Sequence, residues 1–424
     1  MLLYRRLSFR YFPIFDIIIG EDMPINFFIK KLFTTNRKLN ESQAIYATNA
    51  LSGLAEALIG IFIPVYIYNL SSNYQIFSGD GVINGITWAI SFYIITSFIT
   101  VLSILVFGKQ IFEWTLKKTM FFSKIFLVAS YACFSLAESN IYLIFLSAIF
   151  NGIHNTFYWI PYHIFFVKGA DDGDRKYGVE TGRREFLLGL SSTIGPLLGA
   201  LIISQLGFPV LYGLSIVLLL LSTLPILLYV KEQSHRPHSM RDVRSSFLNN
   251  RRFLKTSVAL GGSTTSYIVF TVFWSLMLYF GLRDFVEMGV ITTFSGILSL
   301  ALLLVIGKIT DKKSKLGTHL IGVCINTGLH LTRLVFSSAS FLYINGMLDN
   351  INSPLYNVPF NASIYEKSLG GSVSDFLVYR EVVIHFIRLL VLLFVAAMML
   401  LTGSWLWVFF VGAVGSALTI LVNF

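Results

Sequence analysis

Glu56 stands in Ser52-Gly-Leu-Ala-Glu-Ala-Leu-Ile-Gly60, midway along an apolar run at about 44–68. Such a carboxyl can exchange protons with the space it faces, or it can be a structural acid, kept neutral or paired with an arginine. Asp349 is a second acid of this kind, nearer the end of the run at 340–364. Glu56 and Asp349 are therefore the candidate proton carriers. Arg388 lies one turn after His385, inside the run at 376–402. It can neutralise Glu56 or Asp349, or bind an anionic substrate. Arg333, near the end of the run at 317–337, is expected to carry its charge out to an interface.

A polar stripe accompanies these charges. Ser147, Asn151, His154, Asn155, Tyr158 and Tyr162 recur every three or four residues, which puts them on one helix face. Asn345, Asp349, Asn352, Tyr356 and Phe360 do the same, and subtracting 198 carries them onto 147, 151, 154, 158 and 162. Such a face needs either a polar cavity or hydrogen-bonding partners on neighbouring helices. On the first reading the substrate contacts are Asn151, His154, Asn155, Tyr158, Asn352, Tyr356 and Arg388. Gly261-Gly-Ser-Thr-Thr-Ser266 is small and hydroxylic, which suits close helix packing or a flexible gate.

The elements that carry these residues come in two copies. Tyr158-Trp-Ile-Pro-Tyr-His163 returns as Tyr356-Asn-Val-Pro-Phe-Asn361, 198 residues on. Arg184-Glu185 returns as Arg380-Glu381 at an offset of 196, and Leu105-Val-Phe-Gly-Lys109 as Leu304-Val-Ile-Gly-Lys308 at 199. Three echoes at nearly one offset imply two homologous halves in tandem.

Composition decides the solvent. Hydrophobic residues make up 55% of the chain and charged residues 13%, against about 25% charged in soluble domains. Runs such as 214–228 do not alternate, so helices rather than barrel strands must cross the bilayer. Apolar segments fall at about 44–68, 84–107, 119–137, 141–167, 183–206, 208–230, 257–282, 287–307, 317–337, 340–364, 376–402 and 404–423. The expected fold is an all-α integral membrane protein of twelve transmembrane helices, built as two six-helix pseudo-symmetric repeats. Its expected parts are a cytoplasmic leader at 1–40, bundles at 41–230 and 257–424, and a hydrophilic linker at 231–256. The leader has Arg5, Arg6 and Arg10 before an apolar stretch broken by Pro13 and Asp16, which does not suit a cleavable signal.

Lysine and arginine placement orients the chain. With the N-terminus inside, the inside segments hold 29 of the 32. The outside loops hold Arg283, and Arg333 and Arg388 lie within helices. That asymmetry sets both termini on the cytoplasmic side of a cell (plasma or inner) membrane. It also assigns the net charge of +10 to membrane orientation rather than to nucleic acid. Cys133 and Cys324 sit in separate apolar runs and predict neither a disulfide nor redox chemistry. No phosphate-binding loop with Lys-Ser/Thr is present, so ATP does not drive the protein. No metal site, cofactor or enzymatic nucleophile–base pair is expected.

Twelve helices in two repeats, with a long basic central segment, resemble the major facilitator superfamily of transporters. That family carries Gly-x-Leu-x-Asp-Arg-x-Gly-Arg-Arg/Lys after helix 2 and a weaker copy after helix 8. Here the second copy is the fuller one, Gly307-Lys-Ile-Thr-Asp311-Lys312-Lys-Ser-Lys315. The first has Phe112 in place of the aspartate, with Glu113 one position late. Gly195-Pro196-Leu-Leu-Gly199 in helix 5 is similar to the family's antiporter motif. The family's helix 4 arginine is absent near Asn151. The resemblance implies a cavity lined by helices 1, 4, 7 and 10. It also marks Gly195-Pro196 and the loop Gly307, Asp311 and Lys312 as candidate gating elements. The matched pairs Arg184-Glu185 and Arg380-Glu381, at the inner ends of helices 5 and 11, can bridge the halves and close an inside gate with the Asp311 loop, or their arginines can simply anchor the inside face.

The expected function is secondary active transport of a small organic solute by alternating access. Proton coupling, or coupling to another ion, is expected, with export by antiport preferred. The alternatives are an importer or uniporter of a sugar, amino acid or nucleoside, and a non-transporting membrane scaffold or receptor on the same fold. The expected partners are a small-molecule substrate, a coupling ion and the lipid bilayer, with the protein a monomer.

Overall fold

In the computed structural model the described residues are 41–71, 74–168, 177–230, 251–312, 314–369, 372–404 and 406–422. The expected leader, and 231–250 of the expected linker, lie outside them. Among the described residues the secondary structure is helical throughout. Helix α1 is Glu41–Ile59, extended by a 3-10 turn and by Ile63–Ser71. Then come α2 (Gly81–Glu113), α3 (Leu116–Ser135) and α4 (Leu143–Lys168). The run Tyr177–Tyr229 breaks at Gly207, whose φ of 80° only glycine adopts without strain, giving α5 (177–206) and α6 (208–229). In the second half α7 is Arg251–Val269, continued by a π-turn and Ser275–Leu282. It is followed by α8 (Phe285–Lys312), α9 (Lys315–Thr332), α10 (Ala339–Ser368), α11 (Val373–Thr402) and α12 (Leu406–Leu418). The twelve expected segments are all present.

Local sequence sets the ends of these helices. The Asp80 carboxylate accepts from the backbone N–H groups of Val82 and Ile83 and caps α2. Thr115, Ser314, Ser338 and Ser372 cap α3, α9, α10 and α11 in the same way. These residues satisfy amide donors that have no intrahelical partner. Gly403, at φ 64°, closes α11 in the left-handed conformation. Pro161 in α4 and Pro359 in α10 repeat at the 198-residue offset, so matched helices lose matched backbone hydrogen bonds.

The halves meet along α5 with α8 and along α2 with α11. Two apolar clusters draw on both halves. One gathers Phe62, Tyr66, Trp88 and Phe134 with Leu278, Met288 and Leu342. The other gathers Phe157, Ile160 and Ile164 of α4 with Phe360, Tyr365 and Leu377 of α10 and α11. The second lies at the end of the bundle where α1 and α7 begin, called here the linker end. At the opposite end Tyr68 of α1 packs edge-on against Phe280, with ring centroids 4.9 Å apart. The halves therefore touch at both ends, and the mid-span polar residues lie between.

Candidate substrate and proton site

Glu56 lies about 15 residues into α1, roughly 22 Å along it at 1.5 Å per residue. Its Oε1 is 3.8 Å from Nζ of Lys124 on α3, with the Lys124 side chain 1% exposed and that of Glu56 38%. The ammonium also stands 4.4 Å from the centre of the Tyr158 ring, whose face attracts cations. Lys124 Nζ makes no hydrogen bond among the described residues, so the carboxylate and the ring face are what offset its charge. Charge placement in the sequence assigns Lys124 to the inside loop after helix 2. The structure corrects that, setting it inside the bundle.

Tyr158 knits three helices together. Its hydroxyl donates to Asn49 Oδ1 of α1 at 2.8 Å. Its ring stacks on His154 and, at 5.7 Å, on Tyr162. His154 Nδ1 lies 2.9 Å from the Ser123 carbonyl of α3. The second half repeats that last contact, since Asn352 Nδ2 donates to the Gly322 carbonyl at 2.9 Å. The matched positions 154 and 352 thus bind α4 to α3 and α10 to α9. Tyr356 is buried, and His319 Nδ1 sits 3.0 Å from its carbonyl. Much of the stripe therefore serves helix–helix bonding. Asn151 and Asn155, one turn apart, are half-buried, as is Asp349 in the second half.

Arg333 does not reach an interface. It is 3% exposed, and its Nε donates to Asn345 Oδ1 at 2.7 Å. Nη2 lies 3.3 Å from Asp349 Oδ1, and Cζ lies 4.4 Å over the Trp274 ring. A snorkelling arginine needs water at its tip. Here Asp349, Asn345 and the indole face surround it instead.

Arg388 is about 15 residues into α11, and Tyr267 about 16 into α7, close to the depth of Glu56. Arg388 Nε donates to Thr264 Oγ1 at 3.1 Å, and Cζ stands 5.5 Å from the Tyr267 ring centre. Tyr93 of α2 is within electrostatic reach of the guanidinium. Glu56 and Asp349, the expected partners of Arg388, each have a different base.

At the linker end a polar cluster crosses between the halves. Tyr365 Oη of α10 is 2.9 Å from His163 Nδ1 of α4. His163 Nε2 lies 3.9 Å from Glu381 Oε1, which Arg380 Nη1 meets at 2.5 Å. His385 Nε2 lies 3.8 Å from Glu381 Oε2. The backbone N–H of Val179, at the start of α5, donates to Asp311 Oδ2 at 2.7 Å. A carboxylate at a helix N-terminus satisfies orphan donors and the helix dipole together. A Cβ on Gly182 would lie 3.3 Å from Gly307 Cα, so α5 and α8 cross there almost backbone to backbone. Glu185 is half-buried. The Arg184 and Lys312 side chains lie outside the described residues.

Gly195 and Pro196 wedge α5 between two helices. A Cβ on Gly195 would come within 2.8 Å of the Ala57 carbonyl carbon, and one on Gly199 would overlap the Leu58 carbonyl oxygen. On the far side a Cβ on Gly289 of α8 would lie 2.8 Å from the Pro196 carbonyl oxygen, and Leu197 N–H donates to Thr293 Oγ1 at 3.2 Å. The motif thus packs onto the residues that follow Glu56 and onto the other half at once.

Sequence reasoning missed Lys124, Tyr93, Tyr267, His163 and Tyr365 as members of these clusters. Lys124 had a signal, being a lysine five residues inside an apolar run. The rest are aromatic or polar residues with nothing in their spacing to mark a contact across helices.

The family model described as the Major Facilitator Superfamily matches residues 45–376. The chain belongs to that superfamily. A comparison with curated protein sequences returns no match. Among solved structures, this superfamily member is similar to the human organic anion transporter MFSD10 (TETRAN), with a TM-score of 0.64 at 11% identity over 90% of this chain and 98% of that one. It is also similar to the E. coli fucose:proton symporter FucP, with a TM-score of 0.61 at 13% identity over 89% and 96%. A structure of FucP in the outward conformation aligns with a TM-score of 0.63, again at 13% identity, over 89% and 96%. At these identities the likeness is one of fold.

Proposed function

We propose that this protein is a secondary active transporter of a small organic solute, working by alternating access with proton coupling at Glu56 and export preferred. It sits as a multi-pass protein in a cell membrane, with the linker end cytoplasmic. The observation that carries this reading is the Glu56–Lys124 pair at mid-span, 3.8 Å apart. An ionised Glu56 holds the buried ammonium, and a protonated one lets it go. The next turn of α1 bears directly on Gly195 and Gly199, so a change at Glu56 is felt where α5 meets α8. That continuity links a proton event to the interface on which two halves rock. Asn151, Asn155 and Arg388 are the substrate contacts on this reading. Asp349, held by Arg333, anchors α10 to α9.

A proton-flux measurement in proteoliposomes tests it. Wild type challenged with a panel of drugs, sugars and amino acids is expected to move protons with one class of solute, and Glu56→Gln to abolish that movement. The sign of the flux separates antiport from symport. The second reading is an importer or uniporter, favoured by the cation already at Glu56, since a permanently ionised structural pair needs no proton. Solute movement without protons, unchanged in Glu56→Gln, selects the uniporter, and proton movement of the symport sign selects the importer.

A further inference from the structure

Three cations lie deep in the described spans: Lys124, Arg333 and Arg388. Lys124 has Glu56 at 3.8 Å and Arg333 has Asp349 at 3.3 Å. Glu381, two turns before Arg388 on α11, is met by Arg380 at 2.5 Å and flanked by His163 and His385. Among the described residues no carboxylate comes within 4 Å of Arg388. Its polar contact is one hydrogen bond from Nε to Thr264, which leaves both terminal nitrogens of the fork unengaged. Glu381 acts on Arg388 only through space, beyond contact distance. Holding a guanidinium away from water with no carboxylate in contact is costly, and an arriving anion offsets that cost. The groups around it suit a carbon-bearing ligand. Tyr267 lies under the guanidinium and is 58% exposed, and Tyr93 of α2 in the other half is within electrostatic reach of it.

We infer that the solute taken between the halves is an organic anion whose carboxylate, phosphate or sulfonate group engages the Arg388 fork, with its body against Tyr267 and Tyr93. This rests on the transport reading above. An arginine fork binds such groups with two parallel hydrogen bonds, which a lysine cannot reproduce. The anion joins α11 and α7 of one half to α2 of the other, so its binding favours the halves closed around it.

The test uses the full chain in phosphatidylcholine nanodiscs and follows thermal unfolding by intrinsic fluorescence. Benzoate, phenyl phosphate and benzenesulfonate are compared with benzamide and benzylamine. At least one anion is expected to raise the unfolding temperature while the amide and amine do not, as ligand binding to the folded state requires. Arg388→Gln is expected to raise the half-saturating concentration of that anion by about ten- to hundredfold, the worth of a charge-assisted contact. Arg388→Lys, which keeps the charge without the fork, is expected to lie between. It also supplies the answer if the glutamine variant does not fold. Equal shifts from benzamide and the anions, no shift from any anion, or anion binding unchanged in the variants overturns the inference. Loss of the wild-type effect in phosphatidylglycerol nanodiscs would mean that a lipid headgroup occupies Arg388, which overturns it too. Arg388-dependent binding without solute-coupled proton flux would leave this inference standing and sink proton-coupled transport. Flux of neutral or cationic solutes through an intact Arg388→Gln would do the reverse.

Discussion

At the scale of single residues, the Glu56–Lys124 pair is unequal in its surroundings. Lys124 is nearly sealed, whereas Glu56 keeps one side open. Glu56→Gln leaves a buried ammonium with only the Tyr158 ring, while Lys124→Met leaves a carboxylate that still reaches open space. Breaking a buried pair from the side that strands a charge costs about 3–5 kcal/mol, and an exposed pair is worth under about 1 kcal/mol. Glu56→Gln is thus expected to destabilise more than Lys124→Met, and the double substitution to recover part of the loss. Chemical denaturation of the three variants in detergent gives the coupling, expected to exceed about 1 kcal/mol. Additive losses would show that the two groups do not act as a pair. Of this pair, the acid was legible in the sequence and the base was not. A carboxyl amid apolar neighbours has no ready surface explanation. A lysine a turn and a half into a helix looks like an interfacial anchor until its partner on another helix is known. Arg333 misled for the same reason, since its burial depends on Asp349, Asn345 and Trp274, which lie on two other helices.

At the scale of elements, the helices were legible as spans, but several run five or six residues past their apolar segments, as α2 does to Glu113 and α7 from Arg251. Apolar runs give the spans, and Asp80, Thr115, Ser314, Ser338 and Ser372 stand at their starts. The polar stripe was legible as a stripe but not in its use. Periodicity assigns a face, and only packing decides whether the neighbour is a helix or a space. His154 and Asn352 turn to the carbonyls of α3 and α9, while Asn151 and Asn155 stay half-buried. The glycines of α5 make a sharper claim. Gly199 sits where any Cβ would overlap a backbone carbonyl of α1, which cannot move aside as a side chain could. Gly199→Ala is expected to push the helices apart and cost about 1–3 kcal/mol. Gly213 on α6 has nothing within 4 Å of a built Cβ, so Gly213→Ala is expected to be neutral or to stabilise by up to about 1 kcal/mol. Unfolding temperatures of the two variants in one detergent compare them directly. A Gly199→Ala protein as stable as Gly213→Ala would rule out the close crossing of α1 and α5.

At the scale of the whole molecule, the halves are joined at the linker end by contacts of two kinds. Between α5 and α8 they are nearly backbone to backbone where Gly182 meets Leu303 and Gly307, beside the Asp311 carboxylate that accepts from the Val179 N–H. Between α4 and α10–α11 they are made by side-chain tips, through His163, Tyr365 and Glu381. Backbone contacts suit a hinge that persists through rocking, since they change little when helices pivot. Contacts between side-chain tips suit a latch, since each depends on one hydrogen bond or one charge. Removing the Tyr365 hydroxyl should therefore release the linker end without loosening the α5–α8 crossing. Ala362, one turn from Tyr365 and fully buried in the cluster that spans both halves, reports on that release. In a background with Cys133 and Cys324 replaced by serine, Ala362→Cys is expected to react slowly with an impermeant maleimide added from the linker side. Adding Tyr365→Phe is expected to speed the reaction about two- to tenfold, the population shift that one hydrogen bond of about 0.5–1.5 kcal/mol can hold. The same increase from Glu381→Gln would place the charge in the same latch. Labelling that stays slow in both variants would mean that the α5–α8 crossing alone keeps this end shut, with His163, Tyr365 and Glu381 mere packing. Labelling that is fast before either substitution would mean that the linker end already opens freely, and the latch would then have to be sought among the aromatic contacts of Tyr68 at the opposite end.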